Sequence, residues 1–400
     1  MAKIDPETIG TEAGQTYRVT LVPPENGSFT LRPQLPADGR VPPGTELTIY
    51  ARSNAEYSLD AIYYTENGGM WGAKSTEYMI PEVTIRVNAD LRLGASFIET
   101  ALIANLRVTQ DIVYARPGKK PLKYDVYSPV GARALPAIII VHGGGWSSNN
   151  EDIMRGLARE LAKGGNYVVF SIDYRWINTL DGDETPNSMH QLIEDVFGAI
   201  AHIQAHAVAY GADPGRIALT GDSAGAHLSE AAAVFSPSIG AGGFGEKAGV
   251  YEFRPVYVPP NKSLDQVKEE ITTAIKAVAP SYGPSHAADF KGFLRQTDTS
   301  YWEAVSPIRR VPEANKRKLP HFILRGSNDT LITERMVQEY VEELQTKGQE
   351  VIYQEVPEAG HAFFDWKPDA QSRATFEQYG VPYAAKMKAF FDTIFYKTPN

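Results

Sequence analysis

Four hundred residues exceed the usual span of one hydrophobic core and predict one large domain with a smaller one beside it in sequence. The 39 Lys and Arg against 48 Asp and Glu give a net charge of −9 with no basic block, which argues against a nucleic-acid partner or an anionic membrane surface. The absence of cysteine excludes disulfides, thiolate metal sites and a cysteine nucleophile. The longest apolar runs, such as Pro136 to Val141, fall far short of the roughly 20 residues that cross a bilayer, so no transmembrane segment is expected. The first residues, Met1 to Glu7, carry no apolar signal-peptide core.

Residues 15–99 read as β structure. Leu47, Ile49 and Ala51 alternate with polar neighbours, as do Val83, Ile85 and Val87, and the series continues through Leu91, Leu93, Ala95 and Phe97. Pro23 to Gly27, Pro36 to Gly39 and Val41 to Gly44 supply the turns. A small all-β module over 1–104 is therefore expected. Its runs Tyr17 to Leu21, Gly27 to Phe29, Pro43 to Ile49 and Val83 to Phe97 resemble bacterial surface repeats of the internalin B-repeat kind. That resemblance implies an exported or surface-associated protein, with a possible cell-surface or polysaccharide contact through the module; the same texture also fits a packing domain with no partner.

From Leu106 the texture changes to strands alternating with helices, the mark of a mostly parallel sheet covered on both faces. Strands are expected at 106–115 and 122–128, then at Pro136 to Val141, whose continuous apolar run fits burial on both sides. A helix over 152–163, a strand over 167–173 and a helix over 188–210 follow. Arg216 to Thr220 suits a short buried strand and Ala224 to Phe235 a helix, with Gly221-Asp222-Ser223-Ala224-Gly225 between them. Strands near 275–279, 320–325 and 350–356 and helices near 333–347 and 383–396 complete an eight-stranded set.

The G-x-S-x-G pentapeptide in a strand-turn-helix setting is the form of a nucleophile elbow, with glycines where a Cβ would collide with neighbouring chain. A serine hydroxyl needs a base to take its proton and a carboxylate to hold that base. In the α/β order Ser, acid, His, only His361 of the eight histidines falls late enough, in the loop after the last predicted strand. Asp329 is the first carboxylate after the strand at 320–325. Its nearest competitor, Glu334, falls at a helix start, where a carboxylate serves the macrodipole. Donors for a tetrahedral oxyanion are expected from the N–H of Ala224 and from His142-Gly143-Gly144-Gly145-Trp146.

Residues 105–396 resemble the hormone-sensitive-lipase-like and feruloyl-esterase-like α/β-hydrolases. The likeness rests on His142 to Trp146, Asp173-Tyr174-Arg175, Asp213 to Ile217, Gly221 to Leu228, Ser306-Pro307, Asp329 and Gly360-His361. It implies an α/β-hydrolase fold for 105–400. Ser223 would be nucleophile, His361 general base and then acid, Asp329 the orienting carboxylate, and Gly143, Gly144 and Ala224 the oxyanion donors, with neither cofactor nor metal. The implied activity is a carboxylesterase acting on small acyl or hydroxycinnamoyl esters, including polysaccharide-linked ones. An arylformamidase-like amidase and a non-catalytic adhesion module are the alternatives. The chain departs from the pattern in two ways. Arg325-Gly326 stands where family members commonly have His-Gly. The second is a cap or lid insertion expected around 236–305, in which the stretch 236–270 is longer than expected and brings Tyr251, Phe253 and Tyr257, with Trp146, as candidate pocket residues.

Four other signals are set aside. Gly240 to Gly245 matches a dinucleotide glycine pattern but follows a helix and opens none. His202 and His206 share a helix face without the further ligands of a zinc site. His227, one turn past Ser223, reads as a hydrogen-bonded packing residue, and Asp222, adjacent to the serine, as pointing away from it.

Overall fold

The structure is a computed structural model that describes residues 14–69, 72–182, 184–241, 252–290, 294 and 299–396. The chain divides into two compact units, Met1–Ala104 and Asn105–Asn400. The first unit holds β1 (Tyr17–Leu21), β2 (Gly27–Arg32), β3 (Arg40–Val41), β4 (Thr45–Ser53), β5 (Tyr57–Gly69), β6 (Gly72–Tyr78), β7 (Glu82–Val87) and β8 (Leu91–Glu99). They form a five-stranded sheet, β3-β1-β8-β5-β6, and a three-stranded sheet, β2-β4-β7. The period-2 residues explain why the two sheets share a core. Leu47, Ile49 and Val87 from one sheet and Val19, Leu93 and Phe97 from the other are buried in a single cluster.

The second unit opens with β9 (Leu106–Ala115), β10 (Leu122–Pro129) and β11 (Leu135–Val141), then α1 (Arg155–Ala162), β12 (Val168–Ile172) and α2 (Met189–His206). There follow β13 (Ala212–Asp222), α3 (Ala224–Phe235), α4 (Leu264–Ala274), β14 (Ile275–Ser281) and α5 (Thr299–Ala304). Last come β15 (His321–Gly326), α6 (Glu334–Thr346), β16 (Val351–Val356), α7 (Ala370–Thr375) and α8 (Val381–Phe395). The sheet order is β16-β15-β14-β13-β11-β12-β10-β9. All neighbours pair in parallel except β10, which runs antiparallel to both β9 and β12.

The central strand β11 is buried on both faces, as its unbroken apolar sequence requires. Ile139 and Val141 join the core that contains α2 and α3 residues. Alternate residues turn to the other face, where Thr220 of β13 donates to Met387 Sδ of α8 at 3.4 Å and α8 packs on α1. The expected helix at 152–163 starts as a 3₁₀ turn over Glu151–Met154, and that at 188–210 ends as one over Ala207–Tyr210. Helix α4 is an addition to the expected elements. Its start, Ser263-Leu264-Asp265-Gln266, is a capping box in which Ser263 accepts from the Gln266 N–H.

The structure corrects two pocket residues. Residues 252–258 run along α2, where the Val256 N–H donates to the Glu194 carbonyl at 3.2 Å. Phe253 is 1 % exposed and lies between Phe197 of α2 and Phe235 of α3, so it fills the core. Tyr257 packs edge-on against His202 near the end of α2, which leads to the start of β13, opposite Ser223. Both rings are apolar surface that the helix layer needs covered. Tyr251, and the glycine run beyond Ala241, lie outside the described residues.

Candidate active site

Strand β13 is continuous with α3 except at Ser223, whose φ of 50° and ψ of −118° place it in the sharp turn of an elbow. Few non-glycine residues adopt that conformation, and it is sustained by the contacts around it. The Ser223 N–H donates to the Ser281 carbonyl at the end of β14 at 2.9 Å. A Cβ on Gly225 would stand 2.0 Å from the Val141 carbonyl oxygen, so the helix start presses directly on the end of β11. The glycines of the pentapeptide are therefore explained by close approach.

His361, in the loop after β16, meets this serine. Its Nε2 lies 2.9 Å from Ser223 Oγ, and its Nδ1 lies 2.8 Å from Asp329 Oδ2. The other carboxylate oxygen, Oδ1, accepts from the Leu331 and Ile332 N–H groups, each at 2.9 Å. Burial alone would raise the Asp329 carboxyl, but the His361 contact and these two N–H groups hold it below its ordinary value. Its charge is thus available to orient the imidazole. The loops that carry the two residues are joined, since the Asn328 N–H donates to the Ala359 carbonyl at 2.9 Å and Ser327 Oγ accepts from the Glu358 N–H at 2.8 Å.

Two residues outside the expected set support this pair. Arg325, the departure from the His-Gly pattern, donates to the carbonyls of Ile332 and Asp329 at 2.8 and 3.2 Å and pairs with Glu355 at 3.0 Å. It ties down the acid loop from beneath. Tyr282 lies edge-on to the His361 ring at 5.0 Å, and its hydroxyl accepts from the Phe364 N–H at 3.0 Å. Neither role has a sequence signal, because each depends on which loops meet after folding.

The glycine loop follows β11 and lies beside the elbow. Here one expected donor is corrected. The Gly143 N–H donates to Asp222 Oδ1 at 2.6 Å and is not open to a substrate oxygen. The N–H groups of Gly144, Gly145 and Ala224 have no acceptor among the described residues. Gly144 and Gly145 take φ values of 111° and 59°, which turn the backbone in the left-handed region. The open N–H groups beside the elbow are therefore those of Gly144, Gly145 and Ala224, with Gly145 in place of the expected Gly143. The third glycine was within the motif, but spacing alone does not say which amide the loop consumes.

Trp146 is 3 % exposed; its ring packs edge-on against His227 and Phe290, and its Nε1 donates to His227 Nδ1 at 3.3 Å. His227 is fully buried and donates through Nε2 to the Val305 carbonyl at 3.0 Å, in keeping with a packing role, and burial lowers it to about 4. The segment beside Trp146 comes from the β14–β15 connection, where Phe290 and Val305 lie. His202 and His206 stack at 4.2 Å, and His202 Nδ1 lies 3.0 Å from the Tyr124 hydroxyl.

Such an arrangement can pass a proton from hydroxyl to imidazole, hold the resulting imidazolium against a carboxylate, and offer N–H groups to an oxyanion. Among known proteins, the chain is 28 % identical over 249 residues to the probable carboxylic ester hydrolase LipM of Mycobacterium tuberculosis, covering 57 % of this chain and 49 % of the relative. It is 28 % identical to esterase LipQ of the same organism, covering 70 % of this chain and 64 % of the relative. Carboxylesterase NlhH, also from that organism, is 34 % identical over 140 residues, covering 35 % of this chain and 41 % of the relative. The chain thus spans about half the length of the relatives it matches. In three dimensions it resembles the apo form of Thermogutta terrifontis esterase 2, with a TM-score of 0.54 at 20 % identity over 74 % of this chain and 98 % of that one. The fold is that of the α/β-hydrolases. Residues 124–344 match the BD-FAE family model, more than half of the chain, and the protein belongs to that family.

Proposed function

We propose that the protein is a serine carboxylesterase. The observation that carries this reading is the unbroken relay from Ser223 Oγ through His361 to Asp329, at 2.9 and 2.8 Å. The names of LipM, LipQ and NlhH agree with it. His361 Nε2 takes the Ser223 proton as Oγ attacks the ester carbonyl carbon. The carbonyl oxygen becomes the oxyanion and is received by the N–H groups of Gly144, Gly145 and Ala224. The imidazolium, held by Asp329, then gives its proton to the departing alkoxide, leaving an acyl-serine. Water repeats the sequence, with its proton going to His361, and frees the acid. No step calls for a cofactor or a metal.

The substrates are small acyl or hydroxycinnamoyl esters, including those that decorate plant polysaccharides. A substrate contact at Trp146 and a cap or lid within 236–305 belong to the same reading. The β module over 1–104 would supply a polysaccharide or cell-surface contact in an exported protein. The test is turnover of p-nitrophenyl acetate, methyl ferulate and N-formylkynurenine by the wild type and by Ser223→Ala. Ester hydrolysis that disappears in the folded variant is the expected result, with a loss of about 10⁶-fold in kcat. Undiminished activity would sink the assignment, and preferential turnover of N-formylkynurenine would favour an amidase.

A further inference from the structure

The oxyanion loop contains two open N–H groups between two anchored residues, and both anchors lead to the nucleophile elbow. At its start, the Gly143 N–H donates to Asp222 Oδ1 at 2.6 Å. Asp222 is 1 % exposed and directly precedes Ser223. The fit leaves no room for a side chain, since a Cβ on Gly143 would stand 2.5 Å from Asp222 Oδ2 and 3.0 Å from its carbonyl oxygen. At its end, Trp146 Nε1 donates to His227 Nδ1 at 3.3 Å, and His227 lies one helical turn after Ser223. The Val305 carbonyl can only accept, so His227 carries its proton on Nε2 and presents Nδ1 as an acceptor.

We propose that Asp222 and His227 are positioning residues that clamp the oxyanion loop to the elbow at both ends and so fix Gly144 and Gly145 against Ser223. The inference rests on the esterase reading for its catalytic consequence, though not for its geometry. Oxyanion donors act only when they stand about 3 Å from the developing charge, and a displacement of about 1 Å costs on the order of 10²-fold in rate. A loop of glycines cannot hold that tolerance by itself. Tying it to the residues on either side of the nucleophile makes any movement of the elbow a movement of the donors too. Independent contacts hold the chain just before the loop, where the Tyr174 hydroxyl donates to the His142 carbonyl at 2.8 Å and His142 Nε2 lies 3.2 Å from Asp173 Oδ1. Within the loop, the Gly144 carbonyl accepts from Ser148 Oγ at 2.8 Å and from the Ser147 N–H at 3.1 Å, and the Trp146 carbonyl accepts from the Ile177 N–H at 2.8 Å; the Asp222 and His227 contacts join the loop to the elbow. Burial, and then the charge of Asp365, raise the Asp222 carboxyl well above its ordinary value. Asp222 offers the Gly143 N–H a carboxyl oxygen, and an asparagine amide oxygen can accept from the same N–H.

The experiment compares Asp222→Ala, Asp222→Asn, His227→Ala, Trp146→Phe and the double variant Trp146→Phe/His227→Ala, with p-nitrophenyl acetate as probe. Asp222→Ala is expected to lower kcat about 10²-fold with KM within about threefold, because the lost stabilisation is made only in the transition state. Asp222→Asn is expected to keep kcat within about fivefold, since its amide oxygen still accepts from Gly143. Trp146→Phe keeps the ring and loses only the donor; the double variant is expected to be no slower than the slower single one, as two ends of one contact require. Amide exchange at Gly143, whose N–H is hydrogen-bonded to Asp222, is expected to accelerate in each impaired variant. Equal losses in Asp222→Ala and Asp222→Asn, additive losses at 146 and 227, or unchanged exchange would overturn the clamp. If Asp222→Ala does not fold, the Trp146–His227 cycle and the exchange measurement decide. A wild type that cleaves no ester would defeat the esterase reading instead, and exchange would still test the clamp.

Discussion

Asp329 and Glu334 stand close together in sequence, and burial separates their chemistry. Asp329 is 4 % exposed, with both oxygens engaged by His361 and by two backbone N–H groups. Glu334 is exposed in the first turn of α6, after the Thr333 cap. Asp329→Asn is therefore expected to lower kcat about 10⁴-fold by presenting the wrong partner to Nδ1, while Glu334→Gln stays within about twofold. Steady-state kinetics on p-nitrophenyl acetate check both, and a larger loss at Glu334 would reverse the choice of acid. Because the folded Asp329 value is depressed, its stabilising effect is complete above the ordinary carboxylate value of about 3.9 and is lost as pH falls through the folded value. At this scale, chain order picks out the three residues that the fold brings within hydrogen-bond distance, because covalent order constrains which loops reach the elbow. Aromatic residues are less legible. Phe253 in a loop reads equally as pocket or core, since both surroundings bury rings, and only its neighbours Phe197 and Phe235 decide.

Strands and helices are most legible where burial is most complete. Ile138 to Val141 of β11 are fully buried, and a run of that kind has no reading as an amphipathic element. Helix α4 is passed over because its start looks like part of a long polar excursion, although the Ser263–Gln266 capping box marks it. The edge strand β16 contrasts with β11: its Ile352 is 53 % exposed. Ile140→Ala is expected to lower the unfolding free energy by about 2–5 kcal/mol, through lost transfer energy and an unfilled cavity. Ile352→Ala is expected to stay within about 0.5 kcal/mol, as surface changes do. Urea titration followed by circular dichroism measures both. Similar costs at the two positions would mean that the centre of the sheet does not carry its stability.

At the scale of the whole molecule, composition changes at the same place as structure. Period-2 patterning ends before Leu106 and strand-helix alternation begins there, while the chain divides between Ala104 and Asn105. Periodicity exposes such a boundary because each unit must bury its own apolar set. Leu47, Ile49, Leu93 and Phe97 close one core, and β11, β13, α2 and α3 close another. The unit 105–400, which closes its own core, contains every residue proposed for chemistry. Residues 105–400 expressed alone are therefore expected to fold and to keep kcat and KM on p-nitrophenyl acetate within about twofold of the full chain. The role proposed for 1–104 predicts a different loss, in retention on insoluble polysaccharide and in turnover of esters attached to it. Sedimentation with the polysaccharide, alongside kinetics on soluble and insoluble esters, separates the two functions. If the shortened chain loses activity on the soluble ester while remaining folded, the first unit takes part in the chemistry. If it keeps both activity and retention, the polysaccharide contact lies in 105–400 and the assignment to the β module falls.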